Sequence, residues 1–298
     1  AYGGGAYIED TIHINPMWNV TLGGRVDYFY PTRALDWSPR AATLVHLNDR
    51  QRIKASYGYY YQWPNQNGEF SRGFGTPTIG SNRSIHYVTG YEHQLRPALD
   101  LDIQLYYKDF DHLIVPSNTP GVVFNNDGVG YAKGGEIFIR HRPLHRFFGW
   151  LSYAYSESER RSHPEEPWRL SDYDRPHSTT LVASYQLNHR WNFGGRFRYL
   201  AGAPYTPVIG SRFDTTLKLN RPVYGPVNSD RLPASHQLDL RLEYKEPHNT
   251  YIITSYVEIW NIYNQQDTYG FTYNNDFSAK EPAKGLGLIP FAGVMIEF

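Results

Sequence analysis

Almost from end to end, the chain alternates apolar and polar residues one by one. Alternation of this kind loads the two faces of an extended strand differently, whereas an amphipathic helix needs a 3.6-residue period. Leu238, Leu240, Leu242 and Tyr244 share one face, and Gln237, Asp239, Arg241 and Glu243 share the other. Leu99, Leu101, Ile103, Leu105 and Tyr107 oppose Asp100, Asp102, Gln104 and Tyr106 in the same way. Ile53, Ala55, Tyr57, Tyr59 and Tyr61 oppose Arg52, Lys54, Ser56 and Tyr60. No segment of comparable length carries a helical period. The chain is therefore expected to be all-β and antiparallel.

Strand length narrows this further. The alternating segments run about 9 to 14 residues, against about 5 to 6 for a globular strand. A tilted strand crossing a bilayer needs about 9 to 11. Expected strands cover 4–14, 17–30, 39–47, 51–62, 84–95, 99–110, 129–140, 147–159, 176–187, 190–201, 233–244, 250–264 and 287–298, about 13 in all. The connections between them alternate between short turns and long loops, the long ones being 31–38, 63–83, 111–127, 160–175, 202–231 and 265–285. Short turns on one side and long loops on the other mark an outer-membrane β-barrel, with turns in the periplasm and loops outside. Mean hydropathy is −0.58, and no run of apolar residues is long enough for a transmembrane helix. A barrel escapes that test, because each strand averages a lipid face with a lumen face.

The whole span 1–298 is thus expected to be one transmembrane antiparallel barrel domain, with no plug domain within it. Closure wants an even strand number. Two open edges in hydrocarbon would cost several kcal/mol per unsatisfied backbone group. The 13 strands are therefore expected to be part of a larger barrel, its edges closed by further strands or another chain.

Composition removes many chemistries. There is no Cys, so disulfides, thiolate metal sites and Cys nucleophiles are excluded. Lys plus Arg and Asp plus Glu are both 29, which argues against nucleic acid as a partner. No leader pattern opens the sequence. His177–Ser178 and Ser235–His236 are strand neighbours that point to opposite faces, so neither is expected to form a catalytic dyad. No Gly-x-Ser-x-Gly elbow is present. The Gly-rich loop 70–80 opens no helix and is not a phosphate loop. His163-Pro-Glu-Glu166 has metal-ligand residue types, but a solvated loop accounts for it as well. No catalytic, metal or cofactor residue is expected.

Two features remain. Tyr is unusually common at 26 residues. Tyr57, Tyr59, Tyr61, Tyr153, Tyr155 and Tyr199 are expected on the outer face near the long-loop end, where rings sit at headgroup depth. Arg25, Asp27, Arg52, Lys54, Asp100, Asp102, Glu136, Arg140, Arg196, Arg198, Asp239, Arg241 and Glu243 are expected on a wet inner wall as cross-strand ion pairs. In the loop 202–231, Tyr205, Arg212, Phe213, Arg221 and Tyr224 combine aromatics with Arg, a pairing suited to ligand capture.

Several short motifs, in order, resemble the C-terminal barrel of TonB-dependent outer-membrane receptors. They are Asp36-Trp-Ser-Pro-Arg40, Tyr131-Ala-Lys-Gly-Gly-Glu136, Asp174-Arg-Pro-His177, Arg231-Leu-Pro-Ala-Ser-His-Gln-Leu-Asp-Leu-Arg241 and Tyr256-Val-Glu-Ile-Trp-Asn-Ile-Tyr-Asn264. The terminal Phe298, with Ile296 and Val294 on its face, resembles the signal read by the barrel-assembly machinery. The resemblance implies a 22-strand-type barrel around an N-terminal plug. It also implies uptake of a scarce nutrient (iron–siderophore, cobalamin or glycan) and outer-membrane lipid as surroundings. TonB would be a partner through N-terminal parts with no counterpart here. The alternatives are a plugless structural barrel or passive pore anchoring a larger assembly, and a soluble β-rich binding module.

Overall fold

The computed structural model describes residues 2–65, 68–71 and 73–298. Arg72 of the Gly-rich loop lies outside them, as does Ala1. The strands are β1 (Gly3–Asn15), β2 (Trp18–Phe29), β3 (Ala34–Asn48), β4 (Gln51–Gln62), β5 (Asn82–Arg96), β6 (Leu99–Pro116), β7 (Phe124–Leu144), β8 (Phe147–Arg161), β9 (Arg169–Leu170), β10 (His177–Gln186), β11 (Trp191–Leu200), β12 (Pro204–Tyr205), β13 (Val208–Asp214), β14 (Leu219–Tyr224), β15 (Asp230–Arg231), β16 (Ser235–Pro247), β17 (Ile252–Trp260), β18 (Thr268–Tyr273), β19 (Lys280–Lys284) and β20 (Ile289–Glu297). There is no helix among the described residues.

One 14-stranded sheet carries the long strands in chain order, β1 to β8, then β10, β11, β16, β17 and β20, with β9 added to β8. Among the described residues, β1 and β20 each have a neighbour on one side only. The sheet is thus not closed, as a part of a larger barrel requires. By contact density the chain divides into two units, 1–93 with 102–135 and 156–171, and 94–101 with 136–155 and 172–298.

Every expected long strand is present, but several bounds move. β3 starts at Ala34 rather than at 39, because Pro39 does not end the strand. Residues 34–39 pair with β2, while pairing with β4 begins only at Arg40. The missing Pro N–H therefore leaves no ladder bond broken on the β4 side. The expected loop 111–127 is mostly strand. Its Asn126 acts on backbone instead, donating from Nδ2 to the His112 carbonyl (2.9 Å), and Ile114 N donates to Oδ1 of Asn82 at the start of β5 (2.8 Å). The loops 202–231 and 265–285 are not plain connections either. Hairpins β13–β14 and β18–β19 and the pair β12–β15 lie inside them.

The register shows what the alternation is for. In the second unit, Tyr185 is opposite Phe193, Phe193 opposite Leu242, Leu242 opposite Val257, and Val257 opposite Ala292. This row crosses five strands on one face. Its large members stay exposed: Tyr185 46%, Phe193 42%, Leu242 39% and Val257 54%. In the first unit, Leu22, Ala41, Tyr57 and Tyr87 form the matching row. Tyr57 stacks edge-on against Tyr59 (5.8 Å) and lies 5.0 Å from Tyr87, so these tyrosines share the apolar face as expected.

The interior is inverted relative to a soluble protein. Among the described residues the buried apolar ones other than glycine are Phe29, Ile79, Ala98, Ala201 and two prolines, Pro64 and Pro204, while buried polar ones include Asp36, Asp174, Asp239, Thr254 and Asn261. A small aromatic contact in the first unit joins Phe29 to Trp63 (4.9 Å) and Phe70 (5.5 Å). A soluble chain of this size would bury far more apolar surface. The exposed apolar face needs lipid against it. Leu181 sits mid-strand on that face, opposite Leu151 and Phe197. Leu181→Arg in the intact protein should lower unfolding free energy in phospholipid vesicles by about 2–4 kcal/mol. Ser152→Arg, on the opposite face of β8, should change it by under about 0.5 kcal/mol. Denaturant titration of both variants checks this.

Candidate functional site

The face opposite the apolar rows is a wall of ion pairs. In the first unit Lys54 Nζ lies 3.0 Å from Glu92 and 2.9 Å from Asp102, and Arg52 lies 2.7 Å from Glu92. Arg25 and Asp27, two apart on β2, pair at 2.6 Å. In the second unit Asp100 receives Arg140 (3.1 Å) and Arg142 (2.6 Å). Arg196 donates twice to Asp239 Oδ2, at 2.9 and 2.7 Å. Arg241 bridges Glu243 (2.7 Å) and Glu258 (2.9 Å). Period-two spacing gathers these charges on one face: Arg52–Glu92, Arg196–Asp239 and Arg241–Glu258 are directly opposite on paired strands, while Arg25–Asp27 and Arg241–Glu243 pair along a single strand.

Long-loop segments are tied down by buried polar contacts. Asp174 is 2% exposed and pairs with the Arg231 guanidinium. Arg231 Nη1 also donates to the carbonyls of Asp174 (3.1 Å) and Gly202 (3.2 Å). A Cβ on Gly202 would overlap the Leu232 carbonyl oxygen, so only glycine allows this approach. The motifs at Asp174 and Arg231 therefore meet in space and clamp both ends of 202–231. A second clamp uses Asn261 and Asn264, both at positive φ (57° and 56°), which Asn tolerates better than most residues. Asn261 N donates to Asp239 Oδ1 (3.0 Å), Gln265 N donates to Asn261 Oδ1 (2.9 Å), and Leu288 N donates to Asn264 Oδ1 (2.9 Å).

The five expected loop residues separate into two groups. Tyr205, on β12, donates its hydroxyl to Asp230 Oδ2 (2.8 Å) and accepts from Lys280 Nζ (3.1 Å). Lys280 also sits 4.2 Å from the Phe271 ring centre. The hydrogen bond from Tyr205 holds the Asp230 carboxyl below the ordinary aspartate range, and the Tyr205 hydroxyl raises Lys280. Arg212 and Arg221 face each other directly across hairpin β13–β14, with Phe213 opposite Asn220 and Tyr224 opposite Val208. Asp214 binds Arg221 at 2.8 Å. Arg212 has no ion pair among the described residues. Lys280, Asp230 and Phe271 were invisible in the sequence, since Lys280 and Tyr205 stand 75 positions apart with no shared period.

Other candidates resolve locally. His177 Nδ1 meets Tyr153 Oη (3.0 Å) on the apolar face, away from Ser178. His236 Nδ1 meets Tyr263 Oη (2.9 Å), while Ser235 Oγ donates to Asp267. Glu166 accepts from Ser162 N (3.2 Å) and its own N–H bonds the His163 carbonyl (3.0 Å), closing a turn. No group of three potential metal ligands converges among the described residues. In the loop 70–80, Thr76 Oγ1 donates to the Phe124 carbonyl (2.8 Å), binding it to β7.

The family described as TonB dependent receptor-like, beta-barrel matches residues 1–264. The chain belongs to that family. No curated protein matches the chain by sequence. Among solved structures, the outer membrane transporter YddB from Escherichia coli superposes with a TM-score of 0.75 at 15% identity, covering 99% of this chain and 45% of that one. The ferric-catecholate import receptor Fiu from E. coli K12, in its closed form, gives 0.73 at 13%, covering 99% and 44%. The ferripyoverdine receptor of Pseudomonas aeruginosa gives 0.69 at 14%, covering 99% and 38%. At such identities the likeness concerns the fold. The chain spans less than half the length of these relatives. As a TonB-dependent receptor barrel it is an outer-membrane protein.

Two outcomes follow. Arg231→Ala removes the guanidinium that pairs with the buried Asp174 carboxylate and donates to the Asp174 and Gly202 carbonyls. Hydrogen exchange across 202–231 should report local opening easier by about 3–5 kcal/mol. The Tyr205–Asp230 contact stabilises the loop only while Asp230 is ionised. Because its folded value is depressed, that contribution is complete above 3.8 and disappears as pH falls through the lower folded value. Exchange protection at Asp230 and Arg231 should therefore hold at pH 5 and fall below the ordinary range, and Asp230→Asn should abolish the step.

Proposed function

We propose that the chain forms the C-terminal part of the barrel of an energised uptake receptor whose cargo is an anionic metal chelate of the iron–siderophore class. The observation that carries the cargo assignment is the direct opposition of Arg212 and Arg221. Like charges directly across a strand pair destabilise a sheet. Hairpin residues 208–224 carry Arg212, Lys218 and Arg221 against Asp214 alone, a surplus of two positive charges in a chain with none overall. Phe213 and Tyr224 are exposed beside them. Such a surface attracts an anion carrying aromatic or apolar groups, and a neutral cobalamin or glycan gains nothing from the two guanidiniums.

The described chemistry of relatives supports the class. One is a ferric-catecholate import receptor and another was solved with ferripyoverdine bound. The barrel supplies wall and capturing loops rather than bond-making chemistry. Energy would come through TonB, engaged by parts of the protein outside these residues. Further strands would close β1 and β20, since unpaired edges in lipid are too costly. Phe298, Ile296 and Val294 would present the assembly signal. Ile296 and Val294 lie opposite Ile253 and Ser255 on the apolar side of β20.

Uptake of radiolabelled ferric chelates by cells expressing the intact receptor tests this. The double variant Arg212→Gln/Arg221→Gln should weaken capture of an anionic chelate at least about tenfold, since each charge-assisted contact contributes about 1.5–3 kcal/mol. A neutral chelate should be unaffected. Dissipating the proton-motive force should stop uptake. Uptake that persists without it would instead make the barrel a passive pore.

A further inference from the structure

Where the long-loop ends of β11, β16, β17 and β20 meet the base of hairpin β18–β19, the second unit holds a hollow of about 430 Å³. Small-molecule pockets run to about 300–1,000 Å³, so there is room for more than a single ion. Of the strand residues that line it, Arg198, Gln237, Trp260 and Ile289 have the parity of the polar wall. His236 has the other parity, and its ring is taken by the Tyr263 hydroxyl (2.9 Å). The hollow therefore lies on the polar side of the sheet, at the last rungs of its strands.

Charge in this hollow is present but not paired off. Asp267 and Lys284 flank the base of the hairpin: Gly285 N donates to the Asp267 carbonyl (2.8 Å), and Thr268 is opposite Lys284. Neither side chain has an ion pair among the described residues. Asp267 Oδ2 accepts from Ser235 Oγ (2.5 Å), while Oδ1 is buried and has no donor among the described residues. An unsatisfied buried carboxylate oxygen is costly, so a donor that reaches it is stabilised. Arg198 is the second cation. It donates to Gln237 (3.0 Å) and lies 4.0 Å from Asp239, whose carboxylate is already committed to Arg196 and to Asn261 N. Opposite charges around one hollow, kept from pairing with each other, suit a ligand that carries both. The rest of the lining is apolar: Trp260, Tyr269 and Leu286 are exposed there. A Cβ on Gly285 would come within 2.5 Å of the Tyr269 ring, so glycine lets that ring lie against the backbone.

We propose that this hollow binds a zwitterionic ligand of the apolar α-amino acid class. The ligand's ammonium would donate to Asp267, its carboxylate would receive Lys284 and Arg198, and its side chain would cover Tyr269 and Leu286. The terminal torsion of an Asp side chain is soft, so a small turn presents Oδ1 to the ammonium. A simple anion is opposed by Asp267, and a simple cation by Lys284 and Arg198. None of these residues belongs to hairpin residues 208–224, so the site is independent of cargo capture.

The test uses the intact receptor, extracted in detergent with its whole chain, in equilibrium dialysis against radiolabelled L-phenylalanine at neutral pH. N-acetylphenylalanine lacks the ammonium, and phenylalanine amide lacks the carboxylate. Measured by competition, each should bind at least about tenfold more weakly than the free amino acid, because a polar group of the site then loses its partner. Asp267→Asn should weaken phenylalanine at least about fivefold and leave the N-acetyl compound unchanged. Lys284→Gln should weaken phenylalanine by about the same factor and leave the amide unchanged. The unchanged compound shows in each case that the variant is folded. Equal binding of the amino acid and both blocked forms overturns the proposal without needing any variant, as does a lack of saturable phenylalanine binding. A variant that weakens all three compounds alike, with its strand content intact by circular dichroism, overturns it too.

Discussion

Everything in this molecule depends on strand-to-strand backbone pairing in an apolar medium. In hydrocarbon a peptide group has no water to turn to, so its partner must be the adjacent strand. The 13 long strands accept this by running in chain order, each beside its predecessor. That simple topology has a consequence for side chains. With the register set by short turns, same-parity residues align from strand to strand within each unit. Apolar residues then form rows towards lipid, and charges form rows on the other side.

Stability is therefore distributed unlike that of a soluble domain. There is almost no apolar core to hold loops in place. Buried polar contacts take over that role at the long-loop end. Asp174 with Arg231, and Asp239 with Arg196 and Asn261, join segments that meet only because the strands bring them together. These contacts give a physical meaning to motifs that look arbitrary as text. The Asn residues are where the chain turns through positive φ, and the Gly202 position is where two backbones nearly touch.

The two ends of the sheet then serve different needs. At one end, loops grow into hairpins that hold charge away from the membrane, and Arg212 and Arg221 are kept opposite each other despite their repulsion. At the other, Arg146 and Arg190 in tight turns and Lys245 near the end of β16 line one hollow. The wall between them is internally neutralised, with most of its charges already paired. That leaves the ends as the places where the chain's charge is available to a ligand.

Strand number, face assignment and the polar-wall pairs were legible in the sequence, because an extended strand has a period of two and transmembrane length repeats it many times. Family membership was legible in the ordered motifs and in Phe298. The hairpins inside 202–231 and 265–285 were not, since short pairings in Gly-, Pro- and Asn-rich segments carry too few alternations to stand out. Pro39 misplaced one strand start, because the side of the ladder on which a missing N–H falls is not written in the residue itself. The sequence by itself thus determined the secondary structure, the medium and the family. Only the tertiary structure decided which loop residues meet. Tyr205 finds Lys280, and Arg146 finds Arg190, through strand order and turn geometry. Such meetings depend on distances in space between residues far apart in the chain, and no local periodicity encodes those distances.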